Sequence, residues 1–208
     1  WVAKWNKVAE RAQKLIASLD GWNEAVIART IAANIPNGTA LFVSSSRPIR
    51  DLEGFAHPRG GIHTYANRGL AGIDGNISTA LGVAYGHKAT IAVLGDLSFL
   101  HDLTGLINKE EINCRFIVIN NDGGGIFSTL PQRGSQGFET VFGTPHGLNP
   151  AEIAKAMGVS AHQISSLKEL EAAVKAPVTG ISVVVCDVPD RESNADNLKA
   201  IYESLNSM

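Results

Sequence analysis

Short apolar runs alternate along this chain with helix-like stretches, and that alternation leaves few folds open. Ala40 to Ser44, Thr90 to Leu94, Arg115 to Asn120 and Ile181 to Val185 read as strands. Ile181 to Val185 is almost wholly β-branched, as a strand covered on both faces requires. Between them lie helical patterns. Val2, Trp5, Val8, Ala12, Leu15, Ile16 and Leu19 recur at steps of three and four, and further helices are expected at Asn23 to Ala33, Gly75 to Tyr85, His101 to Ile107, 151–157, Ser166 to Lys175 and Asp196 to Leu205. Asn149-Pro150 opens and Gly158 stops the helix at 151–157, and Asp74 is the expected cap of the helix from Gly75. Strands interleaved with helices pair in parallel through right-handed crossovers. The expected fold class is therefore α/β, a doubly wound parallel sheet flanked by helices.

With 208 residues and 44% hydrophobic content the chain can bury one substantial core. Eighteen basic residues against twenty acidic ones give a net charge of −2, without the basic footprint that nucleic acid or an anionic membrane demands, so a small-molecule partner is expected. Cys114 and Cys186 sit in apolar runs and read as reduced core residues. No apolar stretch approaches the roughly 20 residues that span a bilayer and nothing resembles a signal peptide, so the expected compartment is cytoplasmic. The chain opens at Trp1 inside a helical pattern, which reads as a piece of a longer protein, with residues 1–20 as a linker helix from a preceding domain.

In such sheets ligands bind outside the carboxyl ends of the strands, which directs attention to loops 44–50, 67–75, 95–101 and 120–131. Gly95-Asp96-Leu97-Ser98 follows one apolar strand and Asn120-Asn121-Asp122-Gly123-Gly124-Gly125 the next. One helix and one return strand separate Asp96 from Asn121, so both side chains can enter one crevice. Asp96, the Asn121 amide oxygen and the Gly123 carbonyl offer half of the six oxygens that magnesium requires, and a diphosphate could supply most of the remaining charge. Helix 101–107 would turn its free N–H groups toward that anion, Gly95 would admit close backbone approach, and Ser98 would add a hydroxyl donor. Residues 21–208 thus read as a diphosphate- and magnesium-binding domain. The histidines at 57, 63, 87, 101, 146 and 162 show no metal-binding spacing and read as structural or surface residues. Ser44 to Ser46 lack a nucleophile elbow, and Gly69 to Gly75 is not spaced as a dinucleotide fingerprint. A non-catalytic magnesium-nucleotide module remains open on these residues alone.

The pair Gly95-Asp96 and Asn120-Asn121 resembles the fingerprint of the thiamine-diphosphate-dependent decarboxylases and carboligases, with Leu97 where the commonest form has glycine. Asn67-Arg68-Gly69-Leu70-Ala71-Gly72-Ile73-Asp74-Gly75, Asn121-Asp122-Gly123-Gly124-Gly125-Ile126-Phe127 and Phe142-Gly143-Thr144-Pro145-His146-Gly147 narrow the likeness to the branch of menaquinone biosynthesis. The resemblance implies thiamine diphosphate and Mg2+ as cofactors, with the metal on Asp96, Asn121 and Gly123. Ile73 would prop the cofactor in its bent shape, and Gly72, Gly95, Leu97, Ser98, Gly124 and Gly125 would complete its cavity. It further implies a transferase that decarboxylates 2-oxoglutarate and adds the resulting carbanion to isochorismate. Arg50, Arg68 and Ser46 would face these carboxylate substrates, while Ile126, Phe127 and Leu130 form an apolar wall against water. The activating glutamate of such enzymes comes from an N-terminal pyrimidine-binding domain of a neighbouring subunit, so a homodimer or homotetramer is implied and the fragment alone should bind the cofactor weakly and not turn over. Another thiamine-dependent decarboxylase, such as an acetolactate synthase relative, is the alternative.

Overall fold

The computed structural model describes residues 1–107 and 111–207. Among them six strands, β1 (Ala40–Val43), β2 (His63–Tyr65), β3 (Thr90–Gly95), β4 (Cys114–Asn120), β5 (Ser160–Ile164) and β6 (Ile181–Asp187), form one sheet in the order β2-β1-β3-β4-β6-β5. Every pairing is parallel. The helices are α1 (Val2–Ser18), α2 (Glu24–Asn34), α3 (Arg47–Phe55), α4 (Asn76–Tyr85), α5 (Asp96–Leu100), α6 (Pro150–Ala156), α7 (Leu167–Lys175) and α8 (Arg191–Asn206).

Side chains alternate across a strand, so each buried strand feeds two cores. Phe42, Leu94, Phe116, Val118 and Val185 pack with Ile77 of α4 and Ala154 of α6 on one face. Leu41, Ile91, Val93, Ile117 and Val184 pack with Ile31 of α2 and Leu170 of α7 on the other. A strand loaded on both sides carries no polar alternation, which is why β3, β4 and β6 read as continuous apolar runs. Full burial of each large side chain contributes roughly 1.5–3 kcal/mol. A third cluster joins Ile16 of α1, Phe55 of α3 and Leu198 and Ile201 of α8. Cys114 and Cys186 are free and buried in the cores, and burial pushes the Cys114 thiol up to about 12. No helix among the described residues is long and apolar enough to cross a membrane.

The structure departs from the sequence expectation at edges and caps. The outer strands β2 and β5 were not expected: both pair on one side only and are largely exposed, so their sequences carry little apolar signal. Residues 44–50 were expected to be a polar loop, yet α3 starts at Arg47, with Pro48 fitting the first turn, where no N–H is needed. The helix expected at His101 to Ile107 is replaced by α5, which begins at Asp96 itself, and a 3-10 turn at Leu103–Leu106. Asp74 does not cap α4: Gly75 occupies that position with φ +67, and Asp102 accepts from the Ser78 N–H at 2.7 Å instead. Helix α8 starts five residues before Asp196, because Asp190 caps it through the Ser193 N–H at 2.9 Å. Asn149, Gly158 (φ +81) and Ser166 take the expected terminal positions of α6 and α7.

The chain leaves β1 toward β2 on one side, while β3 lies on the other. The loops after β1 and β3 therefore diverge and open a crevice at the carboxyl ends of these strands.

Candidate functional site

A cavity of about 350 Å³ lies in that crevice. Gly95, Asp96, Leu97 and Ser98 reach it from the end of β3, and Asn121, Gly123, Gly124 and Gly125 from the end of β4. Gly72 and Ile73 close it from the loop before α4, and Ser46 from the start of α3. Ile126 and Phe127 add apolar surface from the 3-10 turn Gly125–Thr129. Two turns far apart in the chain thus share one cavity.

Asp96 is buried, and its carboxylate ties the turns together. Oδ1 accepts from the Leu97 N–H at 2.7 Å and Oδ2 from the Gly123 N–H at 2.8 Å. Asn121 is also buried; its Nδ2 donates to Glu24 Oε1 at 2.6 Å, and its Oδ1 has no hydrogen-bond partner among the described residues. Such an orphaned acceptor is costly unless something else satisfies it. The Gly123 carbonyl accepts from the Gly125 N–H at 3.0 Å, which leaves a second lone pair. Ser98 Oγ, expected to donate to an anion, donates to the Ile73 carbonyl at 2.8 Å and so braces the 67–75 loop against α5.

The remaining expected residues lie apart. Arg50 and Leu130 border a second recess of about 690 Å³, and Arg47 stands on the wall that both cavities share. Arg50 Nη1 donates to the Ser46 carbonyl at 2.7 Å. Arg68 is exposed on the 67–75 loop and borders neither cavity.

Several residues that sequence reasoning missed complete the arrangement. His146, expected to be structural or on the surface, places Nε2 3.2 Å from Asp96 Oδ2, while Nδ1 accepts from the Leu148 N–H at 3.0 Å. The hydrogen bond to Asp96 raises the imidazole pKa above its ordinary value. Asp122 accepts from the N–H groups of His146 and Gly147, at 3.0 and 2.7 Å. Arg191, the first residue of α8, donates to the Asp122 and Gly143 carbonyls and pairs with Glu139, which holds segment 139–143 on the Gly-rich turn. The ring of Phe142 lies 5.3 Å from that of Phe127. Of these, Asp122 within the Asn120 to Gly125 stretch and the Phe142 to Gly147 stretch alone gave any signal. The non-glycine residues with positive φ among those described, Ser46 (φ +75), Asp122 (φ +60) and Thr144 (φ +41), all lie in loops around the site, where strained backbone tends to concentrate.

Beneath the cavity, Arg47 lies 3.4 Å from Glu24 and also pairs with Asp51. Burial pushes the Asp51 carboxyl up to about 7 from its ordinary 3.8, against the lowering effect of Arg47. The folded state then binds this proton more tightly than the unfolded chain. Its stabilisation is complete below the ordinary value and is lost as pH rises through about 7. Asp51→Asn should flatten that part of the profile. Melting temperatures of both proteins across this range check it: the unsubstituted chain should lose more stability with rising pH than the variant.

The family described as thiamine pyrophosphate enzyme, C-terminal TPP binding domain, matches residues 52–188. The chain belongs to this family. As a TPP-binding domain it is 39% identical over 201 residues to 2-succinyl-5-enolpyruvyl-6-hydroxy-3-cyclohexene-1-carboxylate synthase of Thermobifida fusca, covering 92% of this chain and 36% of the relative. It is 39% identical over 204 residues to the synthase of the same name from Bacillus cytotoxicus, covering 93% and 35%. The chain therefore spans about a third of the length of the curated relatives it matches. Benzoylformate decarboxylase from Polynucleobacter necessarius superposes with a TM-score of 0.63 at 18% identity, over 79% of this chain and 33% of that one, a likeness of fold.

The residues present fit such a cofactor. Among those described, no three His, Cys, Asp or Glu side chains gather as a metal cage. The buried orphan oxygen of Asn121, in a residue that lines one cavity with Asp96, instead suits a hard cation that also takes phosphate oxygens. Gly95 suits a close approach, since a Cβ there would meet nothing within 4 Å among the described residues.

Proposed function

We propose that this chain is the C-terminal, diphosphate-binding part of a thiamine-diphosphate-dependent carboligase of menaquinone biosynthesis, which decarboxylates 2-oxoglutarate and joins the product to isochorismate. The observation that carries the reading is the unpartnered, buried oxygen of Asn121, a residue that lines the same cavity as Asp96. The 39% identity to synthases of that name supports the choice of substrates.

When bound, thiamine diphosphate supplies a thiazolium ring that serves as electron sink for decarboxylation. Asp96, Asn121 and the Gly123 carbonyl would hold the Mg2+ that neutralises its diphosphate. Gly72, Gly95, Leu97, Ser98, Gly124 and Gly125 would shape the surrounding walls, and Ile73, fixed through its carbonyl by Ser98, would support the cofactor from the opposite loop. Ile126, Phe127 and Leu130 would keep water from the reacting carbon, with Phe142 backing Phe127. Arg50, Arg68 and Ser46 would bind the carboxylates of the two acids, the planar guanidinium groups through paired hydrogen bonds. The N-terminal pyrimidine-binding domain of a neighbouring subunit would supply the activating glutamate, giving a homodimer or homotetramer.

The test is conversion of 2-oxoglutarate and isochorismate by the chain assembled with that domain, beside the chain alone, which should not decarboxylate. Arg68→Ala in the assembled enzyme should raise KM for one of the two acids about 10- to 100-fold, the effect of losing a charge-assisted hydrogen bond. A chain that binds magnesium ADP but not magnesium thiamine diphosphate in calorimetry would overturn the reading.

A further inference from the structure

Glu24 opens α2, outside the strand-end loops, and is only 8% exposed. Its Oε1 accepts from Asn121 Nδ2 at 2.6 Å across 97 positions of sequence, and its Oε2 lies 3.4 Å from Arg47 Nε. An asparagine amide presents nearly the same shape when oxygen and nitrogen exchange places by rotation about its last torsion. The two states differ entirely in chemistry: one turns an acceptor into the cavity, the other an NH2 that no cation can use. An ionised carboxylate accepts and cannot donate, so Glu24 admits only the state with NH2 toward itself. Arg47 Nε, 3.4 Å from the other Glu24 oxygen, gives this buried carboxylate its cationic partner. Glycine at 125 is a further condition, because a Cβ there would collide with Asn121 Nδ2.

We propose that Glu24 is a positioning residue that holds the Asn121 oxygen toward the cavity and thereby sets the affinity for a divalent cation. This rests on the reading of Asp96 and Asn121 as the metal-binding pair. Glu24 touches neither metal nor substrate; it acts through the amide it orients.

The test uses the full chain with Mn2+ as probe, its free concentration followed by electron paramagnetic resonance at saturating thiamine diphosphate, well below the melting temperature of every variant. Glu24→Ala should weaken Mn2+ about tenfold or more, the usual effect of removing a partner that orients a ligand. Glu24→Gln, whose amide can still accept from Asn121, should recover most of that loss. The decisive variant is Asn121→Asp, which has no NH2 to orient and sets two carboxylates face to face. In that background Glu24→Gln should tighten Mn2+, the reverse of its effect on the unsubstituted chain. A merely structural role would give the same sign in both backgrounds, and that result, or Glu24→Ala binding Mn2+ as the unsubstituted chain does, overturns the proposal. If the unsubstituted chain gains no Mn2+ affinity from thiamine diphosphate, the reading of the site fails first, which separates the two failures.

Discussion

Asp96→Ala is expected to lower the magnesium-dependent affinity for thiamine diphosphate by more than about 100-fold, because it removes the one carboxylate of the proposed donor set. The buried N–H of Gly123 would also lose its acceptor, at about 1–3 kcal/mol, and the half-buried N–H of Leu97 would lose its own at a smaller cost. Folding and binding would then fall together. Asp96→Asn separates them: an amide oxygen can still accept from one of these N–H groups, but the negative charge is gone. Calorimetry should show binding of the Asn variant nearly as weak as that of the Ala variant, while thermal unfolding shows the Asn variant closer to the unsubstituted chain. Equal cofactor affinity in all three proteins would remove Asp96 from the site.

Gly123→Ala should cost about 3 kcal/mol of folding free energy, combining an unfavourable backbone conformation with overpacking. Gly123 has φ +132, and a Cβ there would collide with the Gly143 carbonyl and come within 3.0 Å of the Thr144 carbonyl. For a chain of this size the melting temperature should fall by roughly 6–12 °C. Gly95→Ala is the contrast. Gly95 has φ −78, and its added methyl would meet no described protein atom within 4 Å, so the melting temperature should stay within about 2 °C, the range of ordinary surface changes. Any loss of thiamine diphosphate affinity in that variant reports on the space in front of β3. Differential scanning calorimetry of both variants checks the pair, and an unchanged melting temperature for Gly123→Ala would refute the assigned packing of segment 139–143 on the Gly-rich turn.

The parts of the fold legible in the sequence are those where a local rule and the global packing agree. β3, β4 and β6 are apolar through their middles because helices cover both of their faces, and the turns after β3 and β4 are legible because glycine, aspartate and asparagine mark them. The outer strands β2 and β5 pair on one side only, so their sequences carry too few apolar positions to show a period. The start of α5 was hidden because Asp96 is at once a first-turn residue and the residue that ties two loops together. Glu24, Arg47, His146 and Arg191 enter the arrangement through contacts with distant segments, for which spacing along the chain gives no rule. Glu24 reads locally as an ordinary acidic residue at a helix start, and only the folded chain pairs it with Asn121.

The two recesses meet along the side chain of Arg47, with Asp96 and Asn121 on one side and Arg50 and Leu130 on the other. The turns that present Asp96 and Asn121 are moored to central strands, whereas Arg50 and Leu130 belong to α3 and to the segment after the 3-10 turn. Under the proposed assignment of Arg50 to the acids and of Asp96 and Asn121 to the metal, exchanging residues on the outer side would retune which acid is accepted without disturbing the inner grip, so that selectivity and cofactor retention would diverge independently within one scaffold.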